Sequence, residues 1–155
     1  MLTIGQDTLD AIIAHARRDH PDECCGVVAG PEGSDRAERF VPMTNAARSP
    51  TFYEFDPAEK IALYNEMFDA DEEAVVIYHS HTATEAYPSR TDATYAQEPN
   101  AHYLLVSTRE DEDTEVRSFR IVDTQITEEE VRVVATLHPE VSATDTDSAA
   151  KSAAR

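Results

Sequence analysis

The chain has 155 residues, 41% of them hydrophobic and 28% charged, a globular composition that suits one domain with an ordinary core and excludes fibrous or wholly disordered classes. Its formal net charge is -18, from 31 acidic and 13 basic residues; phosphate backbones are repelled and nucleic acid is excluded as a partner, whereas a basic protein surface is attracted. The only cysteines are the adjacent Cys24 and Cys25; they make no disulfide framework, and with neither a signal peptide nor an apolar run of about 20 residues the expectation is a cytoplasmic protein with no membrane contact.

From Gln6 to Asp19 the apolar positions Leu9, Ile12, Ile13 and Ala16 recur at helical spacing, with Asp7 or Thr8 as the expected cap and Pro21 as the stop. Cys25 to Ala29 is a short apolar strand, closed by the turn residues of Gly30 to Ser34, and Arg39 to Met43 reads as its hairpin partner. Asn45 to Pro50 reads as a loop and Thr51 to Phe55 as another short extended piece. Asp56-Pro57 supplies an N-cap followed by Pro at the first helical position, opening a helix that carries Ile61, Leu63, Tyr64, Met67 and Phe68. Ala74 to Tyr78 is wholly apolar and rich in β-branched residues, the signature of a strand buried on both faces. It runs directly into His79-Ser80-His81.

A polar loop follows, then a short helix from about Ser89 to Ala96. His102 to Ser107 and Val116 to Val122 are two further strands, joined by the acidic turn Arg109 to Glu115. Ile126 to Val134 mixes Glu and Val in a pattern open to strand or helix. Strands interleaved with helices predict an α/β layer arrangement, and hairpins near both ends predict a mixed central sheet flanked by helices. Residues 1–137 are expected to form this one domain and 138–155 a disordered tail, whose composition is dominated by Ala, Ser, Thr and Asp.

On an extended segment residues i and i+2 face the same side, so His79 and His81 leave the chain together while Ser80 faces away. They stand at the carboxyl end of a buried strand, where open α/β sheets place their sites. A His-x-His pair alone does not decide between a metal and two half-exposed loop histidines. Asp92 lies three residues after Ser89, the spacing of a helix N-cap with an acid at N3, which stabilises a helix and need do nothing else. Both readings can hold together, because an acid in that first turn lies beside the loop leaving His81. Two histidines, one aspartate and an open fourth position make a catalytic rather than a structural zinc arrangement.

The segment from His79 through His81 and Ser89 to Asp92 resembles the signature of the JAB/MPN (JAMM) zinc metallopeptidases: His, Ser or Thr, His, seven residues, Ser, two residues, Asp. Upstream, Pro21, Glu23, Cys25 and Gly26 match the N-terminal element of that family. The resemblance implies a single JAB/MPN-like domain with deaminase-like layering. It implies that His79, His81 and Asp92 bind one Zn²⁺ per chain, that Glu23 shuttles a proton, and that Ser89 hydrogen-bonds the tetrahedral oxyanion. From the residues alone Glu23 is not singled out, since Glu54, Glu85 and Glu98 are equal rivals.

Cys24 and Cys25 lack C-x-x-C spacing, and Cys25 reads as a small buried strand residue. His15, His20, His102 and His138 are assigned to no metal, and the aromatic residues at 52–55 read as core rather than a substrate platform. The chain lacks long insertions and so looks like the compact prokaryotic branch of the family. That likeness implies a partner, a small ubiquitin-like sulfur-carrier protein ending in Gly-Gly, and hydrolysis after that Gly-Gly to release cysteine or trim the carrier. An isopeptidase removing ubiquitin-like modifiers from lysines is the alternative within the class, and a non-catalytic MPN scaffold the alternative outside it. A zinc nucleobase deaminase fits the layering but fails on motif, since Pro-Cys-x-x-Cys does not occur.

Overall fold

The computed structural model describes residues 1–137; the expected tail at 138–155, with His138, lies outside the described residues. Leu2–Gly5 is a strand, β1, that delivers the chain straight into helix α1, Gln6–Asp19. Gly5 therefore occupies the cap position in extended conformation, with no side-chain cap bond. Asp7 Oδ1 accepts instead from the Thr8 amide at 2.9 Å, so the expected cap at Asp7 or Thr8 is corrected. α1 buries Leu9, Ile12 and Ala16 as its spacing requires, together with Thr8 and His15.

β2 (Cys25–Pro31) and β3 (Arg39–Met43) form the expected antiparallel hairpin, with Cys25 opposite Met43. Thr51 to Phe55 forms no strand; only a single bridge joins Phe55 to Asn45. α2 (Pro57–Asp69) starts as its sequence dictates, with the Asp56 carboxylate accepting from the Glu59 amide at 3.0 Å and Pro57 needing no acceptor. It buries Leu63 and Met67, whereas Ile61 and Phe68 face solvent.

β4 (Glu72–His81) is longer than its apolar core and includes both histidines of the His-x-His pair. α3 (Arg90–Tyr95), β5 (His102–Ser107) and β6 (Glu115–Val122) follow as expected. The ambiguous segment 126–134 resolves into two strands, β7 (Gln125–Glu129) and β8 (Val131–Val134). β7 extends the main sheet beside β6, while β8 pairs in parallel with β1, Leu2 opposite Val131. That pairing joins the two ends of the domain, and no local pattern announces it.

The main sheet has six strands in the order β3-β2-β4-β5-β6-β7. It is mixed: β4 and β5 run parallel around the α3 crossover, and the other neighbours are antiparallel. β4 lies inside the sheet and every residue from Val75 to His81 is buried. Val76 and Tyr78 pack toward α1 with Leu2, Ile4, Ile12 and Leu104. Ile77 faces the opposite layer with Leu105 and Phe119, and that layer continues under α2 through Val27, Leu63 and Met67. Both faces of β4 are covered, as its unbroken apolar run predicts. Among the described residues no helix is long and apolar enough to cross a membrane.

Gly26 sits opposite Tyr78, and a Cβ there would run into the fully buried Tyr78 ring. Tyr78 is itself held by a 2.7 Å hydrogen bond to His15 Nδ1 and cannot swing away. Gly26→Ala is therefore expected to lower stability by about 1–3 kcal/mol through overpacking. Chemical denaturation measures it, and an unchanged midpoint would show that this contact is soft.

Candidate active site

The antiparallel register of β2 and β4 builds the first half of the site. Cys25 stands opposite His79, so the chain just before β2 continues beside the end of β4. The Ser80 amide donates to the Cys24 carbonyl at 3.1 Å, and the Cys24 amide donates to the Ser80 hydroxyl at 2.8 Å. Ser80 thus faces away from the histidines, as expected, and fastens the residue that follows Glu23. Glu23 comes to lie beside His81, and its carboxylate is buried with Oε1 lacking any hydrogen-bond partner.

The second half comes from the crossover. β4 leaves the sheet at His81, whose carbonyl accepts from the Thr108 amide at 2.9 Å, and the chain returns through α3. Ser89 caps that helix in a reciprocal box: its hydroxyl accepts from the Asp92 amide at 3.0 Å, and its own amide donates to Asp92 Oδ2 at 2.8 Å. The same Asp92 Oδ2 lies 3.1 Å from His79 Nε2 and 3.0 Å from His81 Nε2. The capping role and the inward-facing role of Asp92 therefore coexist in one carboxylate.

These three side chains are the cluster suited to a metal ion among the described residues, their donor atoms all lying within 4.8 Å of one another. His81 Nδ1 donates to the Glu85 carbonyl at 2.8 Å, which leaves neutral His81 with only a lone pair at Nε2. A lone pair facing a carboxylate oxygen at 3.0 Å is repulsive unless a proton or a cation lies between them. The separations of 3.0 and 3.1 Å are close to the edge of about 3.3 Å in a tetrahedron with bonds of about 2.0–2.1 Å. The donor set thus fits a divalent metal. Tyr53 stacks on the His79 ring at 4.5 Å and restricts its rotation.

Burial dominates the electrostatics. It lowers the pKa of the fully enclosed His79. At His81 burial acts the same way, but hydrogen bonds to Asp92 and the Glu85 carbonyl outweigh it and raise the pKa. At Asp92 burial works against ionisation, yet the two histidines hold the carboxylate well below its usual range. Glu23 is pushed up to about 8, first by burial, then by the Asp92 charge, with His81 pulling the other way.

The other expectations sort cleanly. Cys24 and Cys25 are buried free thiols; burial pushes Cys24 up to about 12 and Cys25 further, so both are protonated packing residues. His15 bonds Tyr78 and Asp19, His20 bonds Thr108, and His102 lies between Glu129 and Asp35, all outside the cluster. Tyr53 and Phe55 are half-buried and pack against the core, while also lining a cleft. Phe52 is exposed, meets Tyr95 edge-on, and with Tyr53, Tyr95 and Asp92 lines the same cleft, of about 610 Å³. Glu54 and Glu98 line that cleft too. What separates Glu23 from these rivals is its burial beside the histidines, which no local sequence signal reports.

Residues 5–122 match the family described as prokaryotic homologs of the JAB domain, and the chain belongs to it. It is 65% identical over 134 residues to the CysO-cysteine peptidase of Mycobacterium tuberculosis, covering 86% of this chain and 92% of that protein. It is 36% identical over 111 residues to the desampylase of Haloferax volcanii, covering 68% of this chain and 80% of that protein. Among solved structures, a protein of Desulfitobacterium hafniense superposes with a TM-score of 0.77 at 32% identity, covering 88% of this chain and 95% of that one. A JAB1/MPN domain protein of Archaeoglobus fulgidus shares the fold, with a TM-score of 0.57 at 19% identity over 86% of this chain and 97% of that one.

The raised Glu23 pKa sets a pH dependence. Below about pH 4.5 the carboxyl is neutral in the folded and unfolded states alike. Between 4.5 and about 8 the unfolded chain ionises while the fold resists it, so stability is lost as pH rises. In protein stripped of metal, Glu23→Gln should match the parent near pH 4.5 and grow steadily more stable relative to it up to pH 8. Melting temperatures across that range test this, and a constant difference would refute it.

Proposed function

We propose that this chain is a zinc metallopeptidase of the JAMM type that hydrolyses the bond after the C-terminal Gly-Gly of a small ubiquitin-like sulfur-carrier protein, releasing cysteine from a carrier–cysteine adduct. One observation carries the reading: His79 and His81 Nε2 meet a single Asp92 oxygen beside the buried, unpartnered carboxylate of Glu23. The similarity to a CysO-cysteine peptidase at 65% identity supports the substrate class.

In this reading His79, His81 and Asp92 would hold one Zn²⁺, which would supply Lewis acidity to the scissile carbonyl and lower the pKa of the attacking water toward about 7. Glu23 takes the proton from that water and returns it to the leaving amine. A carboxylate held near neutral pKa by burial is suited to both halves of the transfer. Ser89 accepts from the Asp92 amide with its oxygen, which leaves its hydroxyl hydrogen to donate to the tetrahedral oxyanion. Donors in comparable sites contribute about 2.7–4 kcal/mol to the transition state. A Gly-Gly tail has no side chains to obstruct its approach, and β3, an edge strand, ends at Met43 opposite Cys25, where an extended segment could add.

Purified protein supplied with zinc is expected to hold about one equivalent and to release free cysteine from a carrier–cysteine adduct. Chelation should abolish the release and zinc restore it. Glu23→Ala should lower kcat by at least about 10²-fold while the zinc content stays near one; undiminished release by that variant would remove Glu23 from the mechanism. His81→Ala should lose the metal, and a parent protein that takes up less than about half an equivalent would point to a non-catalytic scaffold. The isopeptidase reading, in line with the likeness to a desampylase, is separated by comparing kcat/KM on a lysine-linked carrier offered in parallel.

A further inference from the structure

A cysteine released from a carrier tail bears a free α-carboxylate one carbon from the amine that must be protonated. A lysine side-chain amine bears none. A site adapted to a terminal amino acid therefore needs a cation close to the residue that protonates the leaving group. Glu23 lines a second cleft, of about 510 Å³, together with Arg18, Asn45 and Arg48.

The loop carrying Arg48 is rigidly built. Asn45 is buried and uses its whole hydrogen-bonding capacity. Its Nδ2 donates to the Glu23 and Phe52 carbonyls, both at 3.0 Å, and its Oδ1 accepts from the Ala47 and Glu54 amides at 3.0 and 3.1 Å. Beyond the turn, the Glu23 amide donates to the Ser49 carbonyl at 2.9 Å and the Thr82 hydroxyl donates to the Pro50 carbonyl at 3.1 Å. The segment is thus fastened on both sides of Arg48, to Glu23 and to the residue following His81. Arg48 itself has φ 45°, in the left-handed region, a conformation that a residue with a side chain keeps only where its surroundings impose it.

The Arg48 side chain is exposed and has no carboxylate partner among the described residues. Arg36, Arg39, Arg117 and Arg120 are paired with acids; what sets Arg48 apart from the other unpaired cations is that it lines the cleft it shares with Glu23. Arg18, across the same cleft, lies 3.5 Å from Asp19. Asp19 and Asp22 also face this cleft and repel a carboxylate, so one can be held there only in direct contact with a cation. Asp19 is engaged by Arg18 and by His15 at 3.1 Å, which leaves Arg48 the uncommitted charge.

We propose that Arg48, presented by the Asn45-locked turn beside Glu23, binds the free α-carboxylate of the amino acid being released and makes this a site for a terminal residue rather than a lysine side chain. The inference rests on the peptidase reading and adds the determinant on the leaving-group side. Its test uses zinc-loaded protein and two carriers ending in Gly-Gly-Cys, one with a free carboxylate and one with a carboxamide. The parent protein should prefer the carboxylate by about tenfold to a hundredfold in kcat/KM, the range for a hydrogen-bonded charge. Arg48→Gln should bring that ratio to about one, and Arg48→Lys should retain part of it. Equal use of both carriers by the parent protein, or an unchanged ratio in Arg48→Gln, overturns the proposal. The same ratio is read as Kd for the two carriers in both proteins. If neither carrier is cleaved, the peptidase reading falls, whereas carboxylate recognition stands or falls on the Kd ratio alone.

Discussion

The arrangement depends on one constraint: a strand enclosed by neighbours on both sides ends in two imidazoles that point the same way. β4 has β2 on one edge and β5 on the other, and its last residues are buried. Neither histidine has room to turn away, and Tyr53 stacks on one of them. Burying two imidazoles costs desolvation that partners must offset; His79 Nδ1 has none, so the offset falls on the two Nε2 atoms. Asp92 meets that need from the following crossover. Its carboxylate is aimed by the helix it caps, so the bond that stabilises α3 also orients the oxygen facing the histidines.

Glu23 is the opposite case. Its carboxylate is buried with an unpartnered oxygen, held there through main-chain bonds to Ser49 and Asn45 and through the Ser80–Cys24 clasp. The surrounding fold is firm enough to keep a charge-bearing group where ionisation is disfavoured. That is a local cost in stability, and such costs persist where the rest of the structure over-determines the position. Asn45 supplies much of the determination by tying the loop after β3 to the residue before β2, and it thereby connects the cleft beside Glu23 to the sheet.

Several of the chain's cations brace the fold. Arg39 bridges Glu66 and Glu72, and Arg117 stacks against Phe119 while pairing with Glu128. These pairs bind helix to sheet and strand to strand. Arg48 instead stands exposed at a turn held in a left-handed conformation, in the cleft that Glu23 lines, where it is placed to meet a ligand rather than to brace the fold.

Much was legible in the sequence because it was local. Periodicity marked α1, the hairpin of β2 and β3, α2 and the buried β4; the spacing of His79, His81, Ser89 and Asp92 named the residues the fold brings together. The i, i+2 geometry of a strand and the N3 position of a capped helix are short-range facts, and residues encode them directly. What tertiary structure alone decided was long-range. β1 and β8 pair across the whole domain, so both the strand that precedes α1 and the division of 126–134 escaped local pattern. Phe52 is exposed at the cleft while Tyr53 and Phe55, which line it too, are half-buried against the core, because no strand forms at 51–55 to impose alternation. Glu23 stood equal to other glutamates until the antiparallel register of β2 on β4 brought it beside His81, since burial and proximity across a sheet are properties of pairing and not of any one segment.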